Sequence, residues 1–483
     1  MVRFRGRLVA GTAACVLTLP FIFDCGETSL PGNDNPNTGE VSSTLSGDVS
    51  SALNGGHGRD DVRQILREMK DENIEHTIRG LVSFGTRSTL STQDDPKRGI
   101  GAARDWLRGE FEKVAATSGG RMTVELQSFV QPPSTRIPAP TTITNVVATL
   151  RGTQPESVGR TYVVSGHYDS RNSDNFDGVN DAPGANDDAS GVAAALEMAR
   201  AMAPHTFDAT IVFMAVAGEE QGLYGANFFA TQAKAAGRDI EGMLDNDIIG
   251  SSHGDNNVFD PREIRVFAEG VPTTETAAQA AVRQSIGGEN DSAPRQLARF
   301  VKESAEDADT DMRVRVIFRR DRFLRGGDHI PFLQQGYPAV RFTEINENFA
   351  HQHQNVRVEN GVQFGDLVEF VDFAYTNRVA RVNAATLIAL ARAPATPKNA
   401  LLIDAALTND TELRWDANTE SDLAGYEIVF RESPEPNWTN AIPVGNVTTF
   451  TVKQMSKDNF FFGVRAIDRE GHKSPVAFPR PSP

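Results

Sequence analysis

Cysteine is almost missing. The chain has 483 residues and only two cysteines, Cys15 and Cys25. Cys15 lies in an N-terminal apolar run expected to leave with a signal, so a disulfide framework or a cysteine-held zinc in the mature body is excluded. Basic charge is also in deficit: 48 Lys and Arg face 64 Asp and Glu, a formal net charge of −16. A nucleic-acid binder needs basic patches to displace counterions from phosphate, so nucleic acid is excluded as a partner. The uncharged apolar run Leu8–Phe23 is shorter than the ~20 residues that span a bilayer. No strong internal repeat is present, which sets repeat architectures aside.

What is there begins with export. Arg3, Arg5 and Arg7 precede the run Leu8–Phe23, the pattern of a secretory signal over residues 1–25. An extracellular, periplasmic or outer-membrane-tethered location in a bacterium is therefore expected. Cys25 followed by Gly26 offers a lipid attachment point, although Phe23-Asp24 replaces the small residues that such attachment usually needs. Residues 26–60 are rich in Ser, Asn, Gly and Thr and read as a flexible tether.

Residues 61–393 carry alternating helical and strand patterns, the mark of an α/β domain. Thr161–Ser165 and Thr210–Ala217 are short, apolar and β-branched, as buried strands should be. Between them, Val192, Leu196 and Ala199 predict a helix over Ser190–Ala203, with Asp188 or Ser190 as its cap. Other helices are expected over Asp61–Leu81, Ile100–Ala115 and Asp366–Ala391, and strands over Met122–Phe129, Thr144–Leu150, Arg313–Phe318 and Pro338–Phe342. The acidic loop Ser173–Ala182 reads as solvated, since it lacks the spacing of a calcium loop.

Open α/β sheets bind ligands beyond the carboxyl ends of their strands. His167 and Glu219-Glu220 fall at two such ends, and Asp187 lies in the Gly-rich loop between them. Imidazole and carboxylate are zinc ligands, and a hydrolytic site needs a base beside them. His167, Asp187 and Glu220 are therefore ligand candidates, and Glu219 is a candidate base.

The segments Ser165–Ser170, Gly184–Gly191, Ala217–Gly225, Leu244–Gly250 and Gly327–His353 together resemble the di-zinc aminopeptidases of clan MH, which also contains the glutamate carboxypeptidases. The resemblance implies a mixed, mostly parallel sheet with helices on both faces and two zinc ions. His167 and Asp247 would bind one ion, Glu220 and a late His the other, and Asp187 would bridge them. Glu219 would be the general base, Asp169 would orient the His167 ring, and the Asp187-Asp188 peptide would be cis. Asp328, in Asp-His-Ile-Pro-Phe, matches an Asp that supports the site, while Asp245 is read as a non-ligand. Alternate residues of an extended chain point opposite ways, so only one of His351 and His353 is expected to bind, and the alignment favours His353. Gln352 stands where many relatives have Tyr. The activity implied is removal of N-terminal residues from a peptide substrate. A carboxypeptidase or dipeptidase, a glutaminyl cyclase-like transferase and a non-catalytic binding protein are the alternatives.

After the Pro-bearing linker Ala393–Lys398, residues 399–483 change to short alternating runs, as in a small all-β sandwich. Trp415, Gly425-Tyr426 and Phe461–Asp468 resemble a fibronectin type III module. Its expected role is a spacer or stabilising appendage, with binding of a surface, polymer or protein substrate as the alternative.

Overall fold

The computed structural model describes residues 57–405 and 407–482. The expected signal, Cys25 and the tether up to residue 56 lie outside the described residues. A helix, His57–Glu68, already begins within the last residues read as tether.

Eight strands form the main sheet: β1 (Met122–Gln131), β2 (Thr141–Leu150), β3 (Arg160–His167), β4 (Thr210–Val216), β5 (Asp239–Asn246), β6 (Glu263–Ala268), β7 (Arg313–Ile317) and β8 (Ala339–Glu344). Their order is β1-β2-β4-β3-β5-β8-β6-β7. The central pairs β4-β3, β3-β5 and β5-β8 are parallel, as is β6-β7, while β1-β2, β2-β4 and β8-β6 are antiparallel. Every position of β3 and β4 is buried. The alternation of their side chains explains why. Tyr162, Val164, Ile211 and Phe213 pack against helices Asp71–Val82, Ala189–Met202 and Phe373–Arg392. Val163, Val212, Met214 and Val216 pack on the other face with Phe229 and Phe332 of helices Tyr224–Ala235 and His329–Gln334. Parallel strands covered on both faces need no polar face.

Helix Ala189–Met202 is more enclosed than its spacing predicted. Thirteen of its 14 residues are buried, because it lies between the sheet and an outer layer of helices. Its alanines make that close packing feasible. The helix expected over Asp61–Leu81 is instead two, His57–Glu68 and Asp71–Val82. Lys70 between them is extended, and its N–H donates to the buried Glu197 carboxylate at 2.8 Å. Asp71 and Glu72 then sit in the first turn of a new helix, where the helix dipole favours them. The last helix begins at Phe373, later than expected, capped by the Asp372 carboxylate on the Tyr375 N–H at 2.9 Å. Asp366 is thereby left outside the helix, where it reaches the loop of Asp187.

Beyond a small hairpin, β9 (Arg357–Glu359) with β10 (Val362–Phe364), the chain ends in two further sheets. Strands β11 (Leu401–Ile403), β12 (Thr411–Arg414), β13 (Leu423–Glu432), β14 (Asn440–Gly445), β15 (Thr449–Val452), β16 (Phe460–Asp468) and β17 (Arg480–Pro481) are arranged as β15-β12-β11-β17 and β14-β13-β16. They share a core of Leu413, Trp415, Tyr426, Ile428, Phe462 and Val464. This module does not hang on a free linker. Ala393 O accepts from Arg160, and the Ala395 N–H donates to Glu420. Across the junction, Asp291 pairs with Arg431 at 2.7 Å, while within the body it pairs with Arg299 at 3.0 Å, and all three side chains are buried. Trp438 Nε1 donates to Gln296 at 2.9 Å.

Removing one partner from a buried ion pair leaves an uncompensated charge and costs about 3–5 kcal/mol. Asp291→Ala strands two guanidiniums. Calorimetry of that variant is expected to show a clearly lowered unfolding temperature; an unchanged transition would mean that the junction is solvated.

Candidate metal centre

The site is assembled at the carboxyl ends of β3, β4, β5 and β8. His167 is the last residue of β3. Gly166 before it must be glycine, since a Cβ would meet the Gly191 backbone at 2.3 Å. Gly191 in turn lies against Asn246 O, where a Cβ would come within 2.2 Å. The helix start is thus pressed onto the strand ends, and with it the loop that carries Asp187.

Two groups of side chains could each hold a metal ion: His167, Asp187 and Asp247, and Asp187, Glu220 and His353. Within each group the ligand atoms lie within 4.8 Å of one another. Asp187 belongs to both. Its Oδ1 is 3.1 Å from His167 Nε2, and its Oδ2 is 2.7 Å from His353 Nε2. Asp247 Oδ2 is 3.9 Å from His167 Nε2, and Glu220 Oε1 is 3.2 Å from His353 Nε2. Glu219 Oε2 stands 4.0 Å from His167 Nε2 and keeps some exposure to solvent. The six residues of the expected centre are therefore together.

The donor set fits a cation. His167 Nε2 and Glu220 Oε1 are buried and have no hydrogen-bond partner among the described residues. Four carboxylates crowd the two imidazoles. Burial would lower the His353 pKa, but Glu220 and Asp187 outweigh it and push it up to about 10. The same excess of negative charge is what a metal ion would neutralise. Burial, then the neighbouring Asp247, Glu220 and Asp169 carboxylates, raises Glu219 well above the usual carboxylate range, against the opposing pull of His167. The Glu219 carboxylate stands beside the ligands, where it can take and return a proton.

The surroundings fix each group. His167 Nδ1 is 3.0 Å from the Asp169 carbonyl and 3.5 Å from its carboxylate. Donation from Nδ1 leaves Nε2 with its lone pair toward the centre. Asp169 thus orients His167 chiefly through its backbone. Its carboxylate accepts from the Glu219 and Glu220 N–H groups, at 3.3 and 3.2 Å, and from Thr89 Oγ1 at 2.9 Å. The Asp187-Asp188 peptide is cis, as the resemblance implied. The Asp188 carboxylate caps the helix at Gly191 N (3.0 Å) and also accepts from His167 N (2.9 Å) and Ile248 N (3.3 Å). Asp328 is buried beside the site, with neither carboxylate oxygen hydrogen-bonded among the described residues. Burial, then Asp245 and Glu219, raises it well above the usual range. Asp245 holds His329, accepting from its N–H at 3.1 Å, which makes His329 structural.

His351 is not part of the centre: its ring stacks on Phe370 with centroids 3.6 Å apart and planes 8° from parallel. His353 adopts a left-handed backbone (φ 54°), turning its ring toward Asp187. Gln352 also faces the site, its Nε2 3.4 Å from Asp187 Oδ2.

Four contributors escaped the sequence. Asp366 accepts from Asn186 N (2.9 Å) and Asp187 N (2.7 Å), fixing the shared ligand's loop. Arg87 is buried and donates to the carbonyls of Tyr168, Pro183 and Gly184. Arg171 Nε donates to Glu220 Oε2 at 2.8 Å. Arg341 NH2 lies 2.8 Å from Asp247 Oδ1. Only the helix cap at Asp372, had it been read, would have freed Asp366 for such a role; the three arginines carry no local signal.

A doubly covered α/β sheet with two His-carboxylate groups at its strand ends, joined through one Asp beside a further Glu, defines a metal-dependent hydrolase. Sequence relatives agree. The model of peptidase family M28 matches residues 145–357. A "Probable zinc metalloprotease" of Pyrenophora tritici-repentis is 53% identical over 424 residues, covering 87% of each chain. One of Pyricularia oryzae is 48% identical over 476 residues, covering 97% of this chain and 93% of that one. Among solved structures, the LapA aminopeptidase of Legionella pneumophila aligns with a TM-score of 0.48 and 19% identity, over 68% of this chain and 74% of that one. The chain belongs to peptidase family M28 and is a zinc metallopeptidase.

The two histidines separate by metal content. His353→Ala is expected to lower bound zinc measured by atomic absorption at limiting metal, whereas His351→Ala keeps it. The reverse order would reassign the last ligand.

Proposed function

We propose that this peptidase is an exported aminopeptidase that uses two zinc ions to remove N-terminal residues from peptides. The observation that carries the reading is the Asp187 carboxylate, whose two oxygens face two different histidines. His167 and Asp247 would hold one ion, His353 and Glu220 the other, with Asp187 shared. Zinc in such a pair supplies Lewis acidity toward a carbonyl and makes bound water more acidic.

The chain's own residues do the rest. Glu219 accepts the proton of the attacking water at its carboxylate and returns it to the leaving amine. The Asp169 carboxylate holds the backbone of Glu219 and Glu220, so the base and a ligand move together. Arg171 and Arg341 each take the far oxygen of a ligand carboxylate, leaving the near one for metal. Asp366 and Asp188 fix the loop that presents Asp187. Preference for a free N-terminus rests on the resemblance to the aminopeptidases of the clan. Arg3, Arg5 and Arg7 before Leu8–Phe23 support export, and the buried ion pairs at Asp291 support a stabilising role for the C-terminal module.

The test is hydrolysis of matched free and N-acetylated peptides, with and without a chelator. Cleavage is expected only of free peptides and only with metal, at two zinc ions per chain. Equal cleavage of acetylated peptides would replace the aminopeptidase reading with a carboxypeptidase one. Glu219→Gln is expected to retain zinc while kcat falls by about 10²–10⁴. Unchanged turnover in that variant would remove Glu219 from its role.

A further inference from the structure

The chain is acidic overall, yet one short segment is rich in arginine. Six arginines fall between residues 313 and 325, at positions 313, 315, 319, 320, 322 and 325. Two of them converge with Arg265 on one carboxylate. Glu347 lies 2.8 Å from Arg322 NH1, 3.0 Å from Arg265 NH2 and 3.4 Å from Arg325 NH1. Arg322 also meets Asp321 at 3.4 Å, so Arg325 is the member of the group with the weakest hold on a carboxylate. Arg322 and Glu347 are buried, but the Arg325 side chain is 33% exposed.

Arg325 is also the arginine of this group tied to the centre. Its NH1 donates to Gln352 Oε1 at 3.1 Å, and Gln352 Nε2 lies 3.4 Å from Asp187 Oδ2. One amide side chain therefore separates this guanidinium from the shared ligand. Only NH1 has a hydrogen-bond partner among the described residues, so Nε and NH2 keep open donors. A peptide advances ~3.3–3.6 Å per residue, so about two extended residues reach from the centre to Arg325.

From this placement we infer that Arg325 is a specificity-determining residue that receives a substrate carboxylate one or two residues beyond the scissile bond. The planar fork of open donors suits a carboxylate, and a guanidinium disfavours an ammonium in the same place. The carboxylate is either the C-terminus of a short peptide or an acidic side chain. The inference deepens the aminopeptidase reading and rests on it.

Two substrate pairs test it on the zinc-loaded full chain. One is leucyl-glycyl-glycine against its C-terminal amide. The other is leucyl-glutamyl-glycine amide against leucyl-glutaminyl-glycine amide. In at least one pair the wild type is expected to favour the carboxylate member about tenfold in kcat/KM, as one charge-assisted hydrogen bond allows. The preference should shrink with added salt. The first pair responding assigns a terminal carboxylate, the second a side chain. Arg325→Gln should bring the ratio to about one by loss on the carboxylate member, and Arg325→Lys should keep part of it. Ratios near one in both pairs for the wild type, or ratios that Arg325→Gln leaves unchanged, would overturn the inference. N-acetylated versions of the same peptides report on the aminopeptidase reading separately.

Discussion

The structure turns on the crowding of like charge around Asp187. Its two oxygens face opposite imidazoles, and Glu219, Glu220 and Asp247 close in on the same volume. Buried carboxylates at this spacing repel one another unless a cation lies among them. The arrangement is stable for the same reason that it is useful: the charge that would unfold an apolar pocket is what draws and holds a metal ion.

Such a site needs a rigid frame, and most of it is built from buried polar groups. Asp188 ties His167, Ile248 and the helix start to one carboxylate. Asp366 and Arg87 do the same for the loop between β3 and that helix. Each of these side chains satisfies backbone donors or acceptors that have no ladder or helix partner at a strand end. The apolar layers set the distance between elements, and these clamps set the ligands within it. The C-terminal module is joined to the body by the same device, through Asp291 with Arg431.

The ends of elements show where local reading failed. Periodicity ran one helix through Lys70, but the buried Glu197 carboxylate takes that backbone N–H and breaks it. Periodicity also carried the last helix back to Asp366, which instead serves the loop of Asp187. At Lys70 a distant carboxylate, and at Phe373 the Asp372 cap, outweighed a local preference that is worth only tenths of a kcal/mol per residue.

The buried strands β3 and β4, the helix between them and the chemistry of His167, Asp187 and Glu219-Glu220 were legible in the sequence alone. Those signals are local: residue type, alternation and position at a strand end. Family resemblance added Asp247 and His353. Tertiary structure decided what depends on segments far apart in the chain. It turned His353 rather than His351 toward Asp187, drew Asp169 to the Glu219-Glu220 backbone, and brought Arg171, Arg341 and Asp366 to their partners. A guanidinium or carboxylate has no period and no fixed spacing to its partner, so only the folded chain defines which charge it meets.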